Sequence, residues 1–183
     1  MKNNNFKENI APTLVLVCIC LVITLALVLT NGATKPTIEK IAKVNADKAR
    51  AEVLAEGDSF NEYTGKLNPG IEGYFSANNK KGVAVTSTSK SFGGTMTVMV
   101  GIDAEGKITG VKVTGHADTP GLGTKAMTPA YLKGYVGVNE LKVDNIKDDG
   151  NVDYIVGATV SSNGVYDAVQ GALQQFKDCG GVK

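Results

Sequence analysis

Between Ile10 and Thr30 the chain carries no charge and is built almost wholly from Ile, Ala, Leu, Val and Cys, with Pro12 near its start. About 20 apolar residues span a bilayer core, whereas the hydrophobic region of a secretory signal usually runs only about 7–15. Residues 10–30 therefore read as a transmembrane helix, preceded by a short tail at 1–9. The exit Leu29-Thr30-Asn31-Gly32-Ala33 is small enough to be cut, so a cleaved signal stays open as the competing reading. Val17 stands where a lipid-attachment motif needs a small residue before Cys18. Cys18 and Cys20 lie in the span and Cys179 stands alone, which makes neither a disulfide framework nor a zinc site.

The remainder is of ordinary size for one domain. Residues 31–81 are expected to form a stalk helix, from Thr37 to about Gly57, and a polar connecting segment with turn signals at Pro69-Gly70 and Asn78–Gly82. The main domain is expected over 82–183. Alternating runs at Val83–Thr88, Thr95–Ile102 and Ile108–Thr114, with Asp103-Ala104-Glu105-Gly106 as a turn, read as an antiparallel meander with one face buried. Thr128-Pro129 to Gly137 reads as a short helix with Pro in its first turn, and Leu141–Val143 as a further strand. The fold class is α+β: an anchor and stalk helix, then an antiparallel sheet with flanking helices.

Near the C-terminus Val152–Val156 reads as a short strand, and Val165, Ala168, Val169, Ala172, Leu173 and Phe176 fall on one face of a helix. Ser161 or Ser162 is its natural N-cap, and Cys179-Gly180-Gly181 its end. Thr159 then sits in a strand-to-helix connection, at the positive end of a helix dipole, where a phosphate is favourably held. Gly157 and Ala158 lack bulk, so a ligand can approach the backbone. Gly-Ala-Thr alone says little. It gains meaning from Asp153 upstream and from a second unusual loop, His116-Ala117-Asp118-Thr119-Pro120-Gly121-Leu122-Gly123-Thr124-Lys125.

On these two motifs the chain resembles FMN-binding domains in which FMN is esterified through its phosphate to a threonine. Examples are the G subunit of Rnf electron-transport complexes and the C subunit of the sodium-translocating NADH:quinone reductase. Asp153, Gly157, Ala158 and Thr159 match the attachment motif, with Thr159 as the implied flavin-bearing residue. Thr119 to Gly123 and Lys125 match the loop that lies beside the flavin, with His116 and Thr124 next to it and Ser161 and Ser162 in the following turn. Val156 stands where the family usually has Ser or Thr, and Asp118 where Glu is commoner.

The resemblance implies covalent FMN, a separate flavin transferase for its attachment, and other membrane subunits of an Rnf-type complex as partners. That complex moves electrons between ferredoxin and NAD while translocating sodium ions or protons. It further implies an electron-carrier subunit, not an enzyme on its own, with a cytoplasmic N-terminus and the flavin domain outside. Charge alone points the other way, since Lys2 and Lys7 precede the span while Lys35, Lys40, Lys43, Lys48 and Arg50 follow it.

Other chemistries have little support. A net charge of +1, with no basic patch interleaved with aromatics, excludes nucleic acid as a natural partner. His116 is the only histidine, which argues against imidazole metal clusters and a Ser-His-Asp hydrolase. Two alternatives stay open: a stand-alone extracytoplasmic flavin carrier, and a non-redox anchored binding module.

Overall fold

The computed structural model describes residues 10–142 and 144–182; the expected tail at 1–9 and Val143 lie outside the described residues. The chain divides into two compact units, Met1–Asn45 and Ala46–Lys183.

In the first unit the described residues belong to one long helix, α1, which runs Ala11–Val53. The anchor and stalk, expected as separate elements, are thus continuous, and Pro36 lies inside the helix. Leucines, valines and isoleucines from Leu14 to Leu29 face outward, and the most apolar window has a mean hydropathy of 3.0 with none of it buried. Such a surface is stable only in lipid or against other helices. The Thr30 and Thr34 hydroxyls donate back to the carbonyls of Ala26 and Thr30, at 2.8 and 2.9 Å, and so find partners within the helix.

The second unit is built on a five-stranded antiparallel meander: β1 (Phe60–Glu62), β2 (Ile71–Ala77), β3 (Gly82–Ser91), β4 (Gly94–Asp103) and β5 (Ile108–Gly115), in that spatial order. β3 to β5 occupy the runs that alternation marks out. β1 and β2 arise from the stretch expected as a polar connection. Their signal is blurred because β1 is short and largely exposed, while β2 mixes Gly73 and Ser76 with its apolar residues.

On one face Val83, Val85 and Ser87 of β3 stand opposite Ile102, Val100 and Val98 of β4. This face is covered by α3 (Thr159–Cys179), whose Val165, Ala168, Val169, Ala172 and Leu173 join the main core. The stripe read from sequence is therefore the buried stripe. Gly180, at φ 75°, ends α3 in the left-handed turn expected of it.

The other face carries a smaller cluster of Ala49, Val53, Ala84 and Met99, with Phe60 and Phe75 against it. The last turns of α1 thus cover this side of the sheet. The Arg50 guanidinium lies 3.6 Å over the Phe75 ring, and the Thr109 hydroxyl donates to the Val53 carbonyl at 2.5 Å. Gly101 permits this approach, since a Cβ there would stand 2.1 Å from the same carbonyl oxygen.

Between β5 and α3 the chain is mostly irregular. The expected helix after Thr128 is a single turn, α2 (Pro129–Leu132), extended by a 3-10 turn at Lys133–Tyr135, with the Thr128 hydroxyl accepting from the Tyr131 N–H. Leu141 and Lys142 are not in a strand. Nor are residues 152–156: Tyr154 and Val156 face outward, and the Ile155 N–H donates to the Ser162 hydroxyl at 3.1 Å instead of to a neighbouring strand.

Candidate functional site

Three segments meet at the end of the sheet where β3 turns into β4. They are the hairpin tip at Phe92-Gly93, the loop from His116 to Gly123, and the start of α3. Between them lies a cleft of about 280 Å³, lined from the hairpin by Phe92, from the loop by Thr119, Leu122 and Gly123, and from the α3 start by Gly157 to Ser161. The two sequence motifs are therefore brought together in space, although a whole α2 segment separates them along the chain.

The start of α3 differs from expectation. Thr159 is itself the first helical residue, Ala158 occupies the cap position, and no side chain caps the helix. Ser161 and Ser162 lie inside the first turn, both buried: Ser162 holds the Ile155 N–H, and Ser161 donates to Asp118. A helix start with no side-chain cap leaves N–H groups of its first turn for an anion. Gly157 adopts φ 85°, and a Cβ added there would meet nothing within 4 Å. Its role is the left-handed backbone that turns the chain into α3, with open space beside it.

Asp118 is the hub of the site and is only 4% exposed. Its carboxylate accepts from the Ser91 hydroxyl at 2.5 Å, from the Gly93 N–H at 2.6 Å, and from Ser161. One carboxylate so joins the hairpin, the loop and the helix. The fit is close: a Cβ on Gly123 would lie 2.7 Å from Ser161 Oγ and 2.8 Å from Asp118 Oδ2. Burial pushes this carboxyl up, but the bonds from Ser161, Ser91 and Gly93, with the charge of His116, outweigh it and hold the group below its ordinary value.

The remaining expected residues are placed unevenly. His116, Pro120, Gly121 and Lys125 are exposed and do not line the cleft. Thr124 instead braces the loop, its hydroxyl accepting from the Gly121 N–H at 2.8 Å. Asp153 is exposed on the irregular approach to α3 and also lies outside the lining. Sequence reasoning missed Phe92 and Val160 as lining residues, and it noted Asp118 only as a departure from a motif. The signal for Phe92 was present: an aromatic ring beside Gly93-Gly94 at the tip of a hairpin has no core to enter.

The cleft matches a recognisable group. Residues 91–174 fit the FMN-binding domain family model, whose first residue is the serine on Asp118. Over 176 residues the chain is 30% identical to the G subunit of the ion-translocating oxidoreductase complex of Methanosarcina acetivorans, an alignment covering 91% of this chain and 94% of the relative. The chain belongs to the family of these G subunits.

Two further members of this family align over most of their length. The G subunit of the proton-translocating ferredoxin:NAD(+) oxidoreductase complex of Clostridium ljungdahlii is 26% identical, over 79% of this chain and 78% of the relative. The G subunit of the Na(+)-translocating ferredoxin:NAD(+) oxidoreductase complex of Acetobacterium woodii is 28% identical, over 90% of each. The cofactor of the domain is thus FMN, and the cleft suits it. Its volume of about 280 Å³ falls just short of the roughly 300–1,000 Å³ of ligand pockets, and its walls are apolar apart from the Thr119 hydroxyl and the hydroxyls and backbone at the α3 start.

Proposed function

We propose that this chain is the membrane-anchored flavin carrier of an Rnf-type complex, with FMN joined through its phosphate to the Thr159 hydroxyl. The observation that carries the reading is that Thr159 opens an uncapped helix inside the cleft where both motif loops converge. An oxygen at that position offers a phosphate the free N–H groups of the first turn and the positive end of the helix dipole. Gly157 and Ala158 leave the approach clear, and Asp118 holds the loop and the helix start at fixed separation.

When bound, FMN supplies the electron-accepting and electron-donating chemistry. The protein's share is to orient the group and exclude water: Phe92, Leu122 and Val160 present apolar surface around the cleft mouth. The lining contains no His, Asp, Glu or Lys to activate a threonine hydroxyl, and Asp118 is already committed to its three donors. A hydroxyl without a base is a weak nucleophile, which favours attachment by a separate flavin transferase. Asp153, exposed ahead of the acceptor, serves recognition by that enzyme better than it serves the cleft.

By analogy with the clostridial and acetobacterial relatives, the complex couples ferredoxin and NAD chemistry to ion movement. One of those relatives is named for protons and the other for sodium ions, so both ions stay within the proposal. In this reading the flavin domain lies on the extracytoplasmic side.

The decisive experiment is peptide mapping of the chain from its own host. The fragment bearing Thr159 is expected to carry the mass of esterified FMN. Thr159→Ala, co-expressed with a flavin transferase, is expected to lose the fluorescent band in a denaturing gel, and His116→Ala to keep it. A wholly unmodified Thr159 fragment would overturn the reading.

A further inference from the structure

We propose that Phe92 is the wall against which the flavin ring packs, and that Asp118 is the positioning residue that holds Phe92 there. The inference rests on the flavin-carrier reading and adds to it two residues that lie outside the attachment motif.

Phe92 is 73% exposed and belongs to neither hydrophobic cluster. An aromatic ring left in water loses what its burial would contribute, so the fold itself does not explain it. Looseness does not explain it either, because the backbone on both sides of the ring is pinned. Ser91 and Gly93 each donate to the one buried carboxylate of Asp118. Gly93 also lies so close to the loop that a Cβ would stand 2.2 Å from the Ala117 carbonyl oxygen. A rigid hairpin tip thus presents a bare ring to the cleft.

The ring's surroundings suit a flat aromatic ligand. Phe92 faces a cleft whose other exposed apolar members are Leu122 from the loop and Val160 from the first turn of α3. Thr159 lies in the same lining, so a group tethered there reaches this wall without leaving the cleft. Offset or edge-on packing of aromatic rings is favourable beyond the burial of their area. Because Asp118 also holds Ser161, a single carboxylate sets both the tether end and the wall end of the site.

The test uses the full chain, co-expressed with a flavin transferase and purified in detergent. Phenylalanine is a poor electron donor to an excited flavin, whereas an indole in contact with the ring quenches its emission. Phe92→Trp is therefore expected to lower flavin emission several-fold, while Val136→Trp, exposed but outside the cleft lining, leaves it unchanged. In the Phe92→Trp background, Asp118→Ala is expected to restore emission and Asp118→Glu to keep it quenched. If Asp118→Ala does not fold, Ser91→Ala removes one of the two contacts on the hairpin and is expected to give partial recovery.

Unquenched Phe92→Trp that still carries flavin in a denaturing gel overturns the wall and leaves the tether standing. Quenched native protein whose flavin leaves on denaturation overturns the tether and supports the wall. Quenching indifferent to both Asp118→Ala and Ser91→Ala overturns the role of Asp118. Wild-type chain that takes no flavin in any form overturns both readings.

Discussion

At the scale of single residues, the chemistry of the site is concentrated in a carboxylate that never faces the cleft. Asp118 has its folded-state pKa depressed, so it contributes stability that is complete above the unfolded value of about 3.9 and is lost as pH falls through the lower folded value. The midpoint of urea unfolding is therefore expected to drop below about pH 4 in the wild type. Asp118→Asn is expected to flatten that acid limb while lowering stability at neutral pH by roughly 1–3 kcal/mol, because the amide leaves buried donors of Ser91, Gly93 or Ser161 unmet. Equal acid sensitivity in the two proteins would sink this assignment. Sequence alone could see Asp118 as a position in a motif but not as a hub, because its partners lie far away in the chain, Ser91 and Gly93 on the hairpin and Ser161 at the start of α3. Thr159 was legible for the opposite reason: its surroundings are local, a glycine turn before it and an amphipathic stripe after it. Its immediate neighbours were less so. Ser161 and Ser162 have the chemistry of caps, but their hydroxyls are engaged by Asp118 and Ile155, so the helix starts earlier, at Thr159.

Among the elements, those with clean periodicity were read correctly, and the short helix after Thr128 was read from its Pro129, but short apolar runs were not. β3, β4 and β5 alternate over long runs, and α3 carries an unbroken apolar stripe. Residues 152–156 show how a short apolar run misleads: Val152 is buried but Tyr154 and Val156 are exposed, Val156 at 85%, and the segment packs by its Ile155 N–H. The use of both sheet faces was also hidden, because the second face mixes small residues, Ala84 and Gly101, among its larger ones. Gly101 is the clearer of the two. Its replacement by Ala would force the Val53 carbonyl away from β4, and a loss of about 1–3 kcal/mol is expected, in the range of overpacked cores. Urea unfolding of the Gly101→Ala chain measures it; an unchanged midpoint would mean that the end of α1 contributes little to the second unit.

For the molecule as a whole, the anchor and the flavin domain make separate demands. The helix surface from Leu14 to Leu29 suits lipid, so the chain is expected to remain in membranes through high-salt and alkaline washes and to leave them only in detergent. Sidedness can be read independently. Cys18 and Cys20 lie on the apolar helix and Cys179 is buried, so Val136→Cys adds a thiol on the exposed surface of the domain. A membrane-impermeant maleimide is expected to label it in intact cells; labelling only after lysis would put the domain in the cytoplasm.

The order of elements along the chain carries one more consequence. Each strand pairs with its sequence neighbour, but the cover for the Val83, Val85, Val98 and Val100 face is α3, which is made after all five strands. During synthesis that greasy surface stays bare until Thr159–Cys179 clears the ribosome (a nascent chain being made at about 5–20 residues per second). A message truncated just ahead of codon 159 would therefore yield a sticky, uncovered sheet, and Thr159 is made together with the helix that covers it.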